Sequence, residues 1–261
     1  MSIMQTDHFL NFRALDRDQR VYRYLNLEKL IDLFEHRQNV LVHPSKWEDP
    51  WENFVLNAQG RNPAGSLREF GFRDRIYGQC WTIESRSDAM WRIYSPAISV
   101  QRLGEAAEKR FEGVRIRTTL GKLADSLTVG MTATQRDQTF VGKVEYRSDR
   151  ALFAMAKIIF ADQKNPARVA QSLLLKRTPF RHEKEVRLIF RNFHGQPFPG
   201  GLFNYDVDPH HLVDQILIDP RCKLKHVAEL KDRIRMATGY SGRLLFSLLY
   251  QRPRGMIVDV G

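Results

Sequence analysis

The stretch VYRYLNLEKLIDLFEHRQNVLVH, residues 21–43, decides the class of fold. Its first five residues are aromatic or branched around a single arginine, a composition typical of a β-strand. Asn26 is a favourable N-cap, and apolar residues follow it at helical spacing: Leu27, Leu30, Ile31 and Phe34. Residues 39–43 are predicted to form a second strand. This strand–helix–strand opening indicates that helices and strands share one folding unit.

Strands and helices are interspersed along the rest of the chain. We predict strands at 78–83, 113–119, 141–146, 185–190, 214–219 and 243–250, and a long loop at 191–203. Helices are predicted at 88–94 after the cap Ser87, at 100–111, in two segments after 146 of which the second begins at Asn165, and from Leu224 to a stop at Gly239. We therefore predict an α+β fold, with a mixed, largely antiparallel sheet flanked by helices. Residues 21–261 are expected to form a single compact domain, preceded by a loosely docked polar arm over residues 1–20.

Composition limits the class of protein. The chain has 261 residues, of which 43% are hydrophobic and 27% charged, and this ordinary globular composition excludes a disordered or fibrous chain. No apolar run reaches the roughly 18 residues that a membrane span needs. The N-terminus shows no secretory signal, and Cys80 and Cys222 suggest no disulfide framework. A reduced, cytoplasmic protein without a membrane partner is expected.

The charge balance is strongly basic. The sequence carries 41 lysines and arginines against 30 acidic residues, a net charge of +11, and arginines (29) outnumber lysines (12). A guanidinium binds phosphate through two parallel hydrogen bonds, so the excess suits a polyanionic partner such as a nucleotide or nucleic acid. The alternative is that the arginines are scattered over a solvated surface.

The segment FRHEKEVR, residues 180–187, holds the clearest candidate for chemistry. On an extended strand Glu183, Glu185 and Arg187 project to the same side. Two carboxylates beside a guanidinium form a candidate acid/base or cation-stabilising centre. The alternative is a solvent-facing strand edge with ion-paired charges.

Aromatic residues in polar surroundings supply further candidates. Tyr22-Arg23-Tyr24 could hold a phosphate on the arginine while a ring stacks on a base or nicotinamide, or the tyrosines could pack inward and leave the arginine exposed. Other aromatic residues could wall a ligand cleft, whereas Trp81 is expected in the core. These wall candidates are Trp47, Trp51, Trp91 and Tyr94.

Several motifs are absent from the sequence. It contains no G-x-x-x-x-G-K-[ST] loop, no G-x-G-x-x-G turn and no G-x-S-x-G elbow. His210 and His211 have no partners at metal-binding spacing, so no metal is expected. Cys80 lies in an apolar strand and is expected to be inert.

The order of these segments resembles a bacterial family of domains of unknown function. The matching motifs are Y-R-Y at 22–24, P-S-x-W-x-D-P-x-E at 44–52, C-W-T at 80–82, A-M-W-x-x-Y at 89–94 and K-x-x-x-F-x-x-E-x-E-x-R at 176–187. The resemblance spans residues 21 to about 220, and residues 96–112 depart from the family pattern. Members of that family look like short cytoplasmic proteins that are often encoded among mobile or defence genes.

More distantly, the layout is similar to that of ADP-ribosyltransferases, including the DarT-like toxins. This resemblance implies an ADP-ribosyltransferase-like fold and NAD as a substrate. It carries a first-strand polar role to Arg23, a serine/threonine role to Thr82 and the catalytic glutamate role to Glu185 or Glu183. Breaking the nicotinamide–ribose bond develops positive charge on the ribose, which a fixed carboxylate stabilises. The residues expected to bind substrate are Arg23, Tyr22, Tyr24, Trp47, Asp49, Glu52, Thr82, Trp91, Tyr94, Lys176 and Arg187.

Two classes of function stay open at this point. One is an NAD-consuming ADP-ribosyltransferase-like enzyme, a toxin or anti-phage effector that modifies nucleic acid or protein and has an antitoxin or defence partner. The other is a non-catalytic nucleotide- or nucleic-acid-binding module of a defence or regulatory system. A metal-dependent nuclease is disfavoured because no E-x-K or H-x-x-H signature lies near the carboxylates. The enzyme hypothesis requires Arg23 and Glu185 to share one pocket beside Trp91 and Tyr94.

Overall fold

The structure, a computed structural model, describes residues 4–47, 49–54, 56–61, 65–69, 71–101, 106–251 and 255. The strands in chain order are β1 (Phe9–Leu10), β2 (Arg20–Leu25), β3 (Gln38–Val42), β4 (Gln59–Arg61), β5 (Leu67–Glu69), β6 (Ile76–Thr82), β7 (Ile98–Val100), β8 (Glu108–Arg110), β9 (Val114–Thr119), β10 (Thr139–Lys143), β11 (Glu145–Arg147), β12 (Leu175–Arg177), β13 (Glu185–Arg191), β14 (Leu202–Asp206), β15 (Gln215–Ile218) and β16 (Arg243–Phe246). The α-helices are α1 (Leu27–Glu35), α2 (Asp88–Tyr94), α3 (Leu120–Thr128), α4 (Ala133–Arg136), α5 (Asp149–Ala161), α6 (Pro166–Gln171), α7 (Pro209–Leu212) and α8 (Leu224–Thr238).

A ten-stranded sheet organises these elements. Eight strands follow the order β1-β10-β13-β6-β2-β9-β15-β16, and β3 joins β6 while pairing with β14. The β1–β10 and β15–β16 pairs are parallel, and the other pairs of this sheet are antiparallel. The predicted α+β class, with a mixed and largely antiparallel sheet flanked by helices, is confirmed.

Strand β13 is buried along its whole length because apolar layers cover both faces of the sheet. Val186, Leu188 and Phe190 belong to a large core, which also contains apolar residues of α1, α3 and α8. Ile189 points to the other face, into a second core beneath α6. Glu185 and Arg187 share the face of Ile189, so the alternation of the strand places both charges inside the protein. The expected alternative, a solvent-facing strand edge, is wrong.

The helix ends predicted from capping residues are confirmed. The Asn26 side chain accepts a hydrogen bond from the Lys29 amide at 3.0 Å and begins α1. Ser87 and Asn165 cap α2 and α6 in the same way. Gly239, at φ +64°, ends α8 in a left-handed conformation that glycine adopts without strain. Leu224, the first residue of α8, departs from the expected apolar face of this helix: it is 78% exposed and contributes little to the core.

The helix predicted over 100–111 is wrong. The described residues on either side of 102–105 form an antiparallel hairpin, in which Val100 pairs with Glu108. Glu108 and Glu112 both approach the buried Arg110, at 3.6 and 3.7 Å, so the charged side chains repeat every second residue. This period of two is that of a strand, and the helical spacing of the apolar residues was coincidental. Helix α3, which the Thr119 side chain caps, was not predicted.

The N-terminal segment is closely docked on the sheet. Phe9–Leu10 pairs with β10, and Met4 and Phe9 are buried in the large core. Arg17 forms an ion pair with Asp125 of α3 at 2.6 Å. The division of the chain into an arm and one domain stays a prediction. Within the described residues, no helix is both long and apolar enough to cross a membrane.

Candidate active site

One edge of β6 is shared between two strands. Thr82 pairs with Tyr22 of β2 at one end of this edge, and Gly78 pairs with Val42 of β3 at the other. Because α1 connects β2 to β3, the two strands diverge from β6 and the sheet forks. A cavity of about 510 Å³ opens at this fork. Its lining includes Arg23, Leu33, Asn39, Val40, Trp81 and Ile116.

Arg23 lines this cavity together with Lys29 and Asp32. Its side chain is half-buried, and no acidic residue in the described part of the chain forms an ion pair with it. Burial lowers the pKa of Arg23, and the nearby Cys80, Tyr205 and Tyr94 partly offset this effect. A guanidinium that lines a cavity without an acidic partner is suited to bind an anion.

Five charged side chains form a buried cluster at the start of β13. Lys176 Nζ lies 2.6 Å from Glu183 Oε2 and 2.6 Å from Glu185 Oε1, and 2.8 Å from Glu52 Oε1. Arg187 places its Nε 2.6 Å from Glu185 Oε2 and its Nη2 2.5 Å from Glu52 Oε2. Each of the five is less than one-tenth exposed, and Arg187 is fully buried. We call these residues the acid–base cluster.

Distant segments of the chain build this cluster. Glu52 lies in a 3-10 turn at Pro50–Asn53, and Lys176 lies on β12, which pairs in parallel with β11. Glu183 ends a second 3-10 segment, and Lys184 at φ +43° then turns the chain into β13. This left-handed residue brings Glu183 next to Glu185 although the two do not share one strand.

Aromatic rings cover the cluster. Trp47 lies over the Arg187 guanidinium at 4.4 Å, and Phe180 lies 4.8 Å from Lys176 Nζ. Arg177 extends this packing outward, at 5.0 Å from the Trp51 ring and 3.2 Å from Asp49 Oδ1. The rings exclude water and strengthen the electrostatic contacts beneath them.

The cluster separates the pKa values of its two neighbouring acids. Burial raises the pKa of Glu183 to about 8, assisted by the hydrogen bond and the negative charge of Glu185. Burial would also raise the pKa of Glu185, but the charges of Arg187 and Lys176 outweigh it and hold that pKa well below its usual range. At neutral pH Glu185 is therefore a carboxylate and Glu183 retains a proton.

The structure does not bring Arg23 and Glu185 into one cavity as the enzyme hypothesis required. Glu185 pairs with Thr82, and Thr82 pairs with Tyr22, so these three side chains share one face of the sheet. Arg23 follows Tyr22 and projects to the opposite face, where it lines the cavity with Trp81. Successive side chains of a strand point to opposite faces of the sheet, so Tyr22 and Arg23 of the Y-R-Y motif cannot point to the same face.

Tyr94 and Cys80 interact electrostatically with both Arg23 and Glu185. Burial raises the pKa of Tyr94, and the charges of Glu183, Cys80 and Glu185 add to the effect. Burial and the charge of Glu185 likewise raise the pKa of Cys80, so the thiol stays protonated as expected for an inert cysteine. Because Arg23 also interacts with both residues, they are in electrostatic reach of the cavity and of the acid–base cluster.

The remaining predicted residues have mainly packing or orienting contacts. Tyr24 and Trp91 meet edge to face at 4.8 Å beneath α2, and Trp91 is only 1% exposed. Thr82 donates its hydroxyl to the Glu183 carbonyl at 2.5 Å and so orients the turn before β13. Trp81, expected only in the core, also lines the cavity.

Three residues that support the candidate site were not among those predicted from the sequence. Tyr146 accepts a hydrogen bond from the Glu185 amide at 2.9 Å, Arg177 holds Asp49, and Asn39 belongs to a buried amide network with Gln79. Tyr146 and Asn39 had no local signal, since neither lies in a recognisable motif. Arg177 follows Lys176 directly and could have been found from that position.

Asp32, Glu35 and His36 place three potential metal ligands within 4.8 Å of one another on the exposed surface around α1. Exposed acidic groups of this kind are common without an ion, and the residues are no part of the acid–base cluster.

No family model and no curated protein matches the chain. Among solved structures, DarT of Thermus sp. 2.9 in complex with ADP-ribosylated ssDNA has a TM-score of 0.41 at 11% identity, covering 90% of this chain and 97% of that chain. The same protein with carba-NAD+ has a TM-score of 0.38 at 10% identity, covering 89% and 96% of the two chains. Its complex with NAD+ has a TM-score of 0.38 at 9% identity, covering 90% of this chain and 98% of that chain. Similarity at this level assigns neither an activity nor a ligand to this chain.

Proposed function

We propose that the protein is an NAD-consuming enzyme of the ADP-ribosyltransferase type. The observation that carries the proposal is Arg23, a half-buried guanidinium that lines a cavity of about 510 Å³ and has no acidic partner among the described residues. The volume is in the range of ordinary ligand pockets. A bidentate contact from Arg23 to a pyrophosphate would give this guanidinium a direct anionic partner.

The acid–base cluster supplies the chemistry of this proposal. Cleavage of the nicotinamide–ribose bond releases nicotinamide and leaves positive charge on the ribose, and the permanent carboxylate of Glu185 suits that charge. Glu183 is protonated at neutral pH with a pKa of about 8, so it can exchange a proton near the physiological range. An acceptor hydroxyl or amine that gains the ADP-ribose must lose a proton, and Glu183 can take up that proton only in the molecules in which it is itself ionised, a fraction that grows as the pH approaches its pKa of about 8.

Tyr94 is proposed to contact the ligand between these two regions. The residue is 39% exposed, and partial burial together with the nearby acids raises the pKa of the phenol, so it stays protonated. A protonated phenol can donate a hydrogen bond while its ring packs on a nicotinamide or base. Because Arg23 and the acid–base cluster lie on opposite faces of the sheet, the ligand would have to pass through the fork beside β6, from Arg23 past Tyr94, to reach Glu183.

Release of nicotinamide from NAD tests this proposal directly. We expect the wild-type protein to release nicotinamide and Arg23→Gln to raise KM roughly tenfold or more, because a charge-assisted contact is lost. Glu183→Gln and Glu185→Gln should lower kcat by about 100-fold or more. Arg92→Gln is the matched control, since Arg92 is an exposed arginine of α2 that contacts Asp88 at 2.7 Å. Wild-type protein that releases no nicotinamide with either protein or single-stranded nucleic acid present would refute the proposal, as would unchanged rates in both glutamate variants.

The acceptor and the biological setting are part of the same proposal. The acceptor would be a nucleic acid or a protein, and the enzyme would act as a toxin or anti-phage effector that an antitoxin or defence partner controls. Induced expression in a bacterial host should arrest growth for the wild type but not for Glu183→Gln. Equal growth of the two strains at equal protein levels would contradict this role.

A second candidate function is a non-catalytic nucleotide- or nucleic-acid-binding module. The observation that favours it is a polar row across one face of the sheet, in which successive cross-strand partners are Glu185, Thr82, Tyr22, Arg117, Gln215 and Arg243. Arg20 shares this face with Tyr22, and Arg115 lies 4.5 Å above the Tyr22 ring. None of these four arginines forms an ion pair with an acidic residue in the part of the chain that the structure describes. We call them the arginine face. Oligonucleotide binding without nicotinamide release would favour this candidate over the enzyme.

A further inference from the structure

A second buried network of hydrogen bonds lies at the C-terminal end of α2. Asp219 directly follows β15 and is completely buried. Its carboxylate accepts hydrogen bonds from Ser95 Oγ at 2.5 Å and from Arg221 Nη2 at 2.6 Å and Nε at 3.0 Å. A buried carboxylate with three such donors is fully compensated, and it holds the guanidinium in a fixed orientation.

Arg221 uses that orientation to bind the end of α2. Its Nη2 also donates to the carbonyl oxygens of Trp91 and Ser95, both at 2.7 Å. The Trp91 carbonyl also accepts a hydrogen bond from the Ser95 amide at 3.0 Å, and a cation at this end of a helix interacts favourably with the helix dipole. The guanidinium packs on the Phe111 ring at 4.3 Å. A Cβ at position 113 would collide with the Ser95 side chain, so Gly113 allows this close approach.

Helix α2 is short, and besides Arg221 it is held by the packing of Met90 and Trp91 on Tyr24. It has seven residues, too few for a helix to be stable by itself in water. Only Met90 and Trp91 of α2 are buried, and Ile93 is half exposed. Ser87 caps the N-terminal end from its own segment, whereas Arg221 reaches the C-terminal end from 126 residues away in sequence.

The network binds the residues on either side of Tyr94. Tyr94 is the last residue of α2 and precedes Ser95, which contacts both Asp219 and Arg221. We propose that Arg221, oriented by Asp219, is a positioning residue that fixes α2 and thereby sets Tyr94 relative to Glu183. The catalytic part of this inference rests on the proposed function, but the attachment of α2 does not.

Hydrogen exchange followed by mass spectrometry tests the attachment without requiring activity. In Arg221→Gln and Arg221→Lys we expect the amides of residues 88–95 to exchange about tenfold faster or more, because hydrogen bonds to a charged group are lost. Exchange in β13 should stay unchanged, which shows that the variant is folded. Arg92→Gln is again the control, since its side chain is 64% exposed and contacts only its own helix at Asp88. Unchanged exchange of residues 88–95 in both Arg221 variants would overturn the inference.

Nicotinamide release then separates a positioning role from a merely structural one. With α2 loosened, we expect kcat to fall about tenfold or more while KM changes less, because Tyr94 is misplaced but Arg23 is not. Faster exchange with an unchanged kcat would overturn the positioning role. If the wild type also releases no nicotinamide, the proposed function fails and the positioning role fails with it, whereas the exchange result still decides whether Arg221 holds α2.

Discussion

The five residues of the acid–base cluster carry three carboxyl groups and two cations. Lys176 touches all three acids, whereas Arg187 touches Glu185 and Glu52. If all three acids were ionised, the buried cluster would have a net negative charge, which a low-dielectric interior disfavours. A proton held on Glu183 makes the cluster neutral, which agrees with its raised pKa of about 8.

Removal of the charge of Glu185 should be costly to stability. Glu185→Gln leaves Lys176 and Arg187 short of one negative charge in a buried site, and we expect a loss of about 3–5 kcal/mol in the free energy of unfolding. Glu145→Gln is the control, because the Glu145–Arg147 pair at 3.0 Å is solvent-accessible and should be worth less than about 1 kcal/mol. Urea denaturation of both variants measures the difference, and equal losses would show that the cluster is not held as the structure describes.

Glu183 should make stability depend on pH in a defined direction. The folded protein keeps the Glu183 proton up to about pH 8, whereas the unfolded chain releases it near the ordinary value of 4.5. Because the folded state then binds more protons than the unfolded state, the free energy of unfolding should fall as the pH rises from about 4.5 to about 8. The difference between wild type and Glu183→Gln isolates this contribution. Parallel pH profiles for the two proteins would contradict the raised pKa.

At the scale of elements, strands β10 and β13 depend on close packing with the segment that precedes β12. Gly142 of β10 pairs with Arg187 of β13, and a Cβ at Gly142 would overlap the Leu174 side chain. Leu173 of the same turn accepts a hydrogen bond from Arg187 at 2.7 Å. The packing of this turn therefore helps to place Arg187.

Gly142→Ala should accordingly destabilise the protein. We expect a loss of about 1–3 kcal/mol, because the added methyl group forces Leu174 out of a well-packed core. Gly71→Ala is the matched control, since nothing lies within 4 Å of a Cβ at Gly71 and its φ is not positive. Midpoints of urea denaturation compare the two variants. A Gly142→Ala protein as stable as Gly71→Ala would show that the turn at Leu174 adjusts freely.

The elements also show how far local sequence patterns can predict structure. Helix α1 and strand β9 follow from local signals, the Asn26 cap in one case and the alternation of Val114, Arg115 and Ile116 in the other. The segment around 100–111 could not be predicted in this way. Its strands are stabilised by Arg110 contacting Glu229 of α8 at 3.3 Å, a partner 119 residues away in sequence.

At the scale of the whole molecule, the net charge of +11 is unevenly compensated. Many basic residues are paired with acids, as in the acid–base cluster and at Asp219. The arginine face is different, because its four members lack acidic partners among the described residues while sharing one side of the sheet. Arg115 is buried, but Arg20, Arg117 and Arg243 are at least partly exposed, and positive charges placed together in this way attract polyanions.

The salt dependence of oligonucleotide binding tests the arginine face. Each arginine that neutralises a phosphate should contribute about 0.7 to the slope of log K against log salt for single strands. Arg117→Gln and Arg243→Gln should each reduce the slope by about that amount, as measured by fluorescence anisotropy. Arg235→Gln is the control, since α8 covers the opposite face of the sheet. A slope that responds equally to all three variants would indicate diffuse attraction rather than a binding face.

Sequence alone determined the α+β class and the caps of α1, α2 and α6, because caps and periodicity act within a few residues. Only the tertiary structure decided which of these side chains meet. Glu52 and Arg187 contact each other across 135 residues of chain, and the fork of β6 and the register of β2 send Arg23 and Glu185 to opposite faces. Strand register depends on long-range pairing of the whole sheet, and a shift of one residue exchanges the faces of every side chain on a strand.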